Sequence, residues 1–192
     1  MSTIKVFLEN VELEEGFIRG VGQDIAEEIK GFKDIGLLFT RNPDATCNKV
    51  ISHLTNIRSY FQKNPIPNIS KENHGYLKYR LKDSQWRMYF ILNDSKFKEM
   101  IVQAKNGERI KGAIINLDLK RREVPELFLV KNNSDLLNIL NKYAGRTKQI
   151  KQMYDSAKDE NIKKRFKTIL RLAVYGSAEL AHFTKSLAAY AK

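Results

Sequence analysis

Lys78, Arg80 and Arg87 carry the chemistry this chain is best equipped for, the handling of a phosphodiester. Read with period two, residues 75–94 separate into two faces. Leu77, Tyr79 and Leu81 alternate with Lys78, Arg80 and Lys82; after Asp83-Ser84-Gln85, Trp86, Met88, Phe90 and Leu92 alternate with Arg87, Tyr89 and Ile91. A hairpin of this pattern has a packed apolar face and a basic, partly aromatic working face. Such a face suits a polyanion, and metal-free RNA cleavage is one chemistry it could carry. The ribose 2′-hydroxyl attacks the neighbouring phosphate, and the protein stabilises the extra negative charge while moving two protons. Guanidinium groups suit the first task because they stay charged and bind phosphate oxygens in pairs, so Arg87 and Arg80 are the candidates. Lys78, crowded by other cations, can approach a neutral pKa and carry a proton, with His74 as the alternative. Tyr89 shares the parity of Arg87 and could stack an unpaired base.

The charge balance points to the same class of ligand. The 192 residues hold 34 Lys plus Arg against 22 Asp plus Glu, a net charge of +12. Residues 1–40 carry 4 basic and 8 acidic side chains, residues 41–130 carry 17 and 9, and residues 131–192 carry 13 and 5. The positive field therefore belongs to particular surfaces in the later part of the chain. A second basic cluster, Lys163-Lys164-Arg165 with Lys167 and Arg171, sits in a helical pattern. It reads either as a solvated helix face or as a grip on nucleic-acid backbone.

No metal site and no cofactor are expected. His53, His74 and His182 lack ligand spacing, and Cys47, the single cysteine, allows neither an intrachain disulfide nor a cysteine-based zinc cluster. No apolar run approaches the roughly 20 residues of a membrane span, and the first residues do not read as a signal peptide. Cytoplasmic residence, with no membrane partner, is the default expectation.

The elements that must position these residues follow from hydrophobic period. Ile4–Leu8 reads as a short strand and Val11–Phe32 as an interrupted helix. Ala45–Gln62 spaces Val50, Ile51, Leu54, Ile57 and Phe61 as an amphipathic helix that stops at Asn64-Pro65. Strands are predicted over 76–82, 86–93 and 98–105, with Asn106-Gly107 as a hairpin turn into a fourth strand over 109–119. From Ser134, read as a helix cap, only helices remain, with breaks at Ala144-Gly145-Arg146 and Gly176-Ser177. The fold class that follows is α+β: a small antiparallel sheet with helices on one face, then a helical C-terminal extension, divided at 1–130 and 131–192.

The segment around the hairpin resembles the RelE-type toxin ribonucleases of bacterial toxin–antitoxin systems over roughly residues 45–105. A helix ending at Asn64-Pro65, then Lys78, Arg80 and Trp86-Arg87, carry the resemblance. It implies a metal-independent endoribonuclease acting on RNA, ribosome-bound messenger RNA included, and an antitoxin protein as partner. The family's further arginine would fall at Arg109 or in Lys120-Arg121-Arg122, so Arg109, Arg121 and Arg122 join Lys82, Tyr89, Lys164 and Arg165 as RNA-binding candidates. The family's late tyrosine has no counterpart between Tyr89 and Tyr143. Two other readings compete: a non-catalytic nucleic-acid-binding regulator, and a phage or plasmid factor docking on an acidic host protein.

Overall fold

The computed structural model describes residues 41–69, 86–110 and 130–190, with Gly31 and Phe39. Among these residues the chain forms five helices and no strand: α1 (Pro43–Lys63), α2 (Trp86–Leu92), α3 (Asp94–Lys105), α4 (Asn133–Ser156) and α5 (Glu160–Tyr190). The expected α+β sheet is thus corrected to a helical assembly. The strand expected at 86–93 is helix α2, and the strand expected at 98–105 lies within helix α3. Residues 109 and 110 are not in a strand. The strand expected at 76–82, the rest of the fourth one, and the elements expected before residue 31 lie outside the described residues.

Helix α1 forms where its pattern places it. Asn42 caps it by accepting a hydrogen bond from the Ala45 backbone N–H at 3.0 Å, and Pro43 occupies the first turn, where its missing N–H costs nothing. Cys47, Val50, Leu54, Ile57 and Phe61 recur every three or four residues and are buried. Helix α4 starts in the same way, Asn132 accepting from the Asp135 N–H at 3.0 Å, and buries Leu136, Leu140, Tyr143, Thr147 and Ile150. The Asn133 side chain joins the two helices. It donates to the Phe61 carbonyl at 2.9 Å and accepts from the Ile66 N–H at 3.1 Å. Helix α1 packs along α4, and α5 packs against all four of the others.

Helix α2 is where alternation misleads. Met88, Tyr89, Phe90, Ile91 and Leu92 are all buried. An element covered on every side is apolar throughout, and then period two has no solvent side to report on. Helix α3 has a local helical signal of its own. Asn93 caps it, accepting from the Lys96 N–H at 2.9 Å, and Phe97, Met100, Ile101 and Ala104 bury one face.

The Asn106-Gly107 pair ends α3 and does not turn a hairpin. The Gly107 N–H donates to the Ala104 carbonyl at 3.0 Å and the Glu108 N–H to the Gln103 carbonyl at 2.8 Å, the paired bonds of a Schellman motif. Gly107 has φ +71°, the left-handed conformation this motif needs and a hairpin turn also needs. The dipeptide specifies the backbone angle, and both turns use it.

Helix α5 runs through Gly176-Ser177 without the expected break. Gly176 is there for space: a Cβ would lie 2.5 Å from the Tyr143 hydroxyl and 3.0 Å from the Met88 backbone nitrogen. Gly145 in α4 would meet nothing within 4 Å. Two mid-helix glycines should therefore answer alanine with opposite signs. Gly145→Ala should stabilise by about 1 kcal/mol through helix propensity. Gly176→Ala should destabilise by about 1–3 kcal/mol, because α2 must retreat from α5. Denaturant unfolding of both variants checks this; a stabilised Gly176→Ala would refute the close approach of α2.

Candidate nucleic-acid interface

Charged side chains from α4 and α5 meet the two ends of α2. At the N-terminal end, Arg87 Nη1 donates to Glu179 Oε1 at 3.0 Å, and the Met88 backbone N–H donates to Glu179 Oε2 at 3.0 Å. A carboxylate from the middle of α5 thus satisfies an N–H that the first turn of α2 cannot use internally. Burial pushes the Glu179 carboxyl up to about 7, against the Met88 N–H and the Arg87 guanidinium, which pull it down. Tyr143 closes the pocket from α4, its hydroxyl donating to the Ala173 carbonyl at 2.6 Å. Burial, then the charge of Glu179, raises the Tyr143 phenol well above its ordinary value.

At the C-terminal end, Arg146 from α4 donates to the carbonyls of Ile91 at 2.6 Å and Leu92 at 2.9 Å. It also pairs with Asp94, and its guanidinium carbon lies 4.5 Å from the centre of the Phe97 ring. Hydrogen bonds from Lys142 and Arg146 hold the Asp94 carboxyl down at about 2. An acid at the N-terminus and a guanidinium at the C-terminus both complement the macrodipole of this seven-residue helix. Such a helix is too short to persist alone, so these two side chains and its buried residues define it.

This geometry relocates several sequence-predicted site residues. Arg87 is the second residue of α2, its side chain 16% exposed and its guanidinium bound to Glu179. It is withdrawn from the open sheet face expected of it. Tyr89 is 2% exposed and buried in the core, because the helix it belongs to is covered on every side. His74, Lys78, Arg80, Lys82, Arg121 and Arg122 lie outside the described residues. Arg109 is exposed just after the α3 cap. Lys164 is exposed on α5, whereas the neighbouring Arg165 turns inward and donates to the Gly107 carbonyl at 3.1 Å.

The titratable groups found by structure alone do not form an open reaction centre. Glu179 has a carboxyl near neutrality, but its side chain is 2% exposed. Burial pushes the Cys47 thiol up to about 12, which leaves it protonated and inert at neutral pH. A cleft of about 360 Å³ between the α2–α3 junction and α4 has Asp94 and Lys142 on its wall, paired at 2.8 Å. Among the described residues, no cluster of His, Cys, Asp and Glu could hold a metal ion, and no helix is long and apolar enough to cross a membrane.

Among the described residues, a line of cations open to an anion runs along the outer face of α5. Residues 161–178 contain five basic side chains and no acidic one. Lys164, Lys167 and Arg171, at steps of three and four, lie exposed on one face, opposite the buried Phe166, Ile169, Leu170 and Ala173. Among the described residues none of the three is in an ion pair, whereas Lys96, Lys142, Arg146 and Lys151 all are.

The chain matches no family model, no curated protein and no solved structure.

The α5 line was partly legible beforehand, in the Lys163-Lys164-Arg165 cluster with Lys167 and Arg171. Glu179 and Arg146 were not singled out by their sequence neighbourhoods. The one available signal was Glu179 itself, the single acid within the apolar helical run from Phe166 to Leu187.

Proposed function

We propose that this protein binds nucleic acid through the outer face of α5, gripping phosphates without cleaving the chain. The unneutralised line Lys164, Lys167 and Arg171 carries this reading. Over about 10 Å of helix it offers three cations at roughly one-turn spacing, a ladder matched to a phosphate backbone. Contacts of this kind position a polynucleotide and supply affinity without base selectivity. The catalytic alternative needed Arg87 presented to a phosphate. The partner of that guanidinium is Glu179, and freeing it would leave a buried carboxylate exposed to desolvation.

The test is binding of full-length protein to a labelled oligonucleotide across a salt series. Replacing Lys164, Lys167 and Arg171 together by alanine should weaken binding roughly tenfold to a hundredfold at low salt. It should also lower the slope of log K against log salt by about 2 on a single strand. A control variant with Lys49, Lys98 and Lys105 replaced, all exposed elsewhere, removes the same charge. Equal losses in the two variants would make the attraction one of net charge and refute an α5 interface. Cleavage of the oligonucleotide in excess chelator would replace this reading with the endoribonuclease one. Tight binding to polyglutamate, with none to oligonucleotide, would favour an acidic protein partner.

A further inference from the structure

Beyond Arg171 the accessible line on α5 continues. From Leu172 to Phe183 the helix is buried except at Tyr175, Ala178 and His182. These follow Arg171 at steps of four, three and four, which keeps them on the face that carries Lys164 and Lys167. The first of them is an aromatic ring. Tyr175 is partly buried against the core, and the Arg87 guanidinium lies 5.9 Å from its ring centre. Arg87 is itself fixed by Glu179 at 3.0 Å. The tyrosine is therefore anchored from below and flanked by a cation that cannot swing away.

We infer that Tyr175 is a base-stacking position at the end of the cationic line, and that the ligand is a single-stranded polynucleotide. This rests on the reading of α5 as a phosphate-binding face. Three cations one turn apart hold successive phosphates, and an aromatic about one further turn along meets a base that is not paired. A duplex keeps its bases stacked on one another, so it could use the cations but not the ring. Single-strand binders combine these two features, a basic track and aromatic platforms, because every base has a π-face. Ribose and deoxyribose strands share this chemistry.

The experiment compares oligo-uridine, oligo-thymidine and an abasic deoxyribose-phosphate oligomer of equal length, with polyglutamate as a base-free, phosphate-free polyanion. The unmutated full-length protein should bind both base-bearing strands roughly 5- to 100-fold more tightly than the abasic strand. The difference between the uridine and thymidine strands identifies the preferred sugar. Tyr175→Ala should remove most of this advantage and leave abasic binding unchanged, and Tyr175→Phe should retain it. Equal binding of base-bearing and abasic strands by the unmutated protein overturns the inference with no variant needed. So does Tyr175→Ala weakening all strands alike, or none of them. Polyglutamate bound as tightly as the oligonucleotides would also overturn it, in favour of an acidic protein ligand. The two levels fail separately. If the Lys164, Lys167 and Arg171 variant loses affinity while Tyr175→Ala does not, only the stacking position falls. If that triple variant keeps full affinity, the α5 phosphate face falls with it.

Discussion

Glu179→Ala should lower the stability of this protein by about 3–5 kcal/mol, among the largest effects of any single side chain here. The carboxylate is bound by Arg87 at 3.0 Å and by the Met88 N–H at 3.0 Å, with almost no solvent contact. Removing it strands a mostly buried guanidinium and an N–H in the first turn of α2, and breaking one side of a buried pair costs far more than the pair contributes. Removing both charges should hurt less. Glu179→Leu with Arg87→Met should recover more than half of the loss, and a double-mutant cycle in denaturant measures the coupling. If Glu179→Ala costs under about 1 kcal/mol, α2 is not held by this carboxylate.

The same residue sets a pH dependence with an unusual sign. The Glu179 carboxyl stands at about 7 in the folded protein, against an ordinary value of 4.5. Between those two pH values the folded state binds the extra proton. The pH-dependent part of the Glu179 contribution is therefore fully present below pH 4.5, declines as pH rises, and is lost above about 7. The difference corresponds to about 3 kcal/mol. Asp94 runs the other way: its carboxyl is held down at about 2, so its contribution is present above 3.8 and fades as pH falls. Subtracting the stability profile of Glu179→Gln from that of the unmutated protein isolates the Glu179 part. That difference curve should fall from pH 5 to pH 7; a rising curve would mean that the guanidinium outweighs burial.

Arg146→Ala should cost about 4 kcal/mol, or a melting temperature lower by roughly 12 °C. Its guanidinium satisfies the carbonyls of Ile91 and Leu92 at the end of α2, and lies over Phe97. Each charge-assisted hydrogen bond is worth about 1.5–3 kcal/mol and the ring contact about 1. Arg146→Lys should rescue less than half, because one ammonium cannot span two carbonyls, a carboxylate and a ring face. Asp94→Ala should cost less than about 1 kcal/mol, since Asp94 is 65% exposed and its pairing is screened. Thermal melts of the three variants separate these contributions. Full rescue by lysine would reduce the clamp at Arg146 to a simple point charge.

Much of the helical layout could be read from local pattern. Asn42-Pro43-Asp44 announces α1, the three-and-four spacing of Val50, Leu54, Ile57 and Phe61 carries it, and Asn64-Pro65 stops it. The helices after Ser134 announced themselves by the same spacing, but Asn132 rather than Ser134 caps α4, which runs unbroken through Ala144-Gly145-Arg146. The basic cluster on α5 was visible too, though the sequence could not tell the exposed Lys164 from the inward Arg165. The resemblance to RelE-type toxins rested in part on Trp86-Arg87 leaving a hairpin, and that dipeptide opens a helix.

Sequence by itself determined the features whose causes are local. Caps, helical period, a glycine with positive φ, and a stretch free of acidic residues each depend on neighbours a few positions away. Tertiary structure decided what depends on partners far along the chain. Whether Met88–Leu92 is strand or helix turns on Glu179, 91 positions from Met88, and on Arg146, 54 from Leu92. No local period encodes a carboxylate and a guanidinium that arrive from two other helices to hold the ends of a third. The same distance effect governs Gly176, which reads as a helix break until α2 is seen lying against it. It governs Arg87 as well, a residue whose side chain looks free in sequence and is bound in the fold, because a buried acid must find its cation.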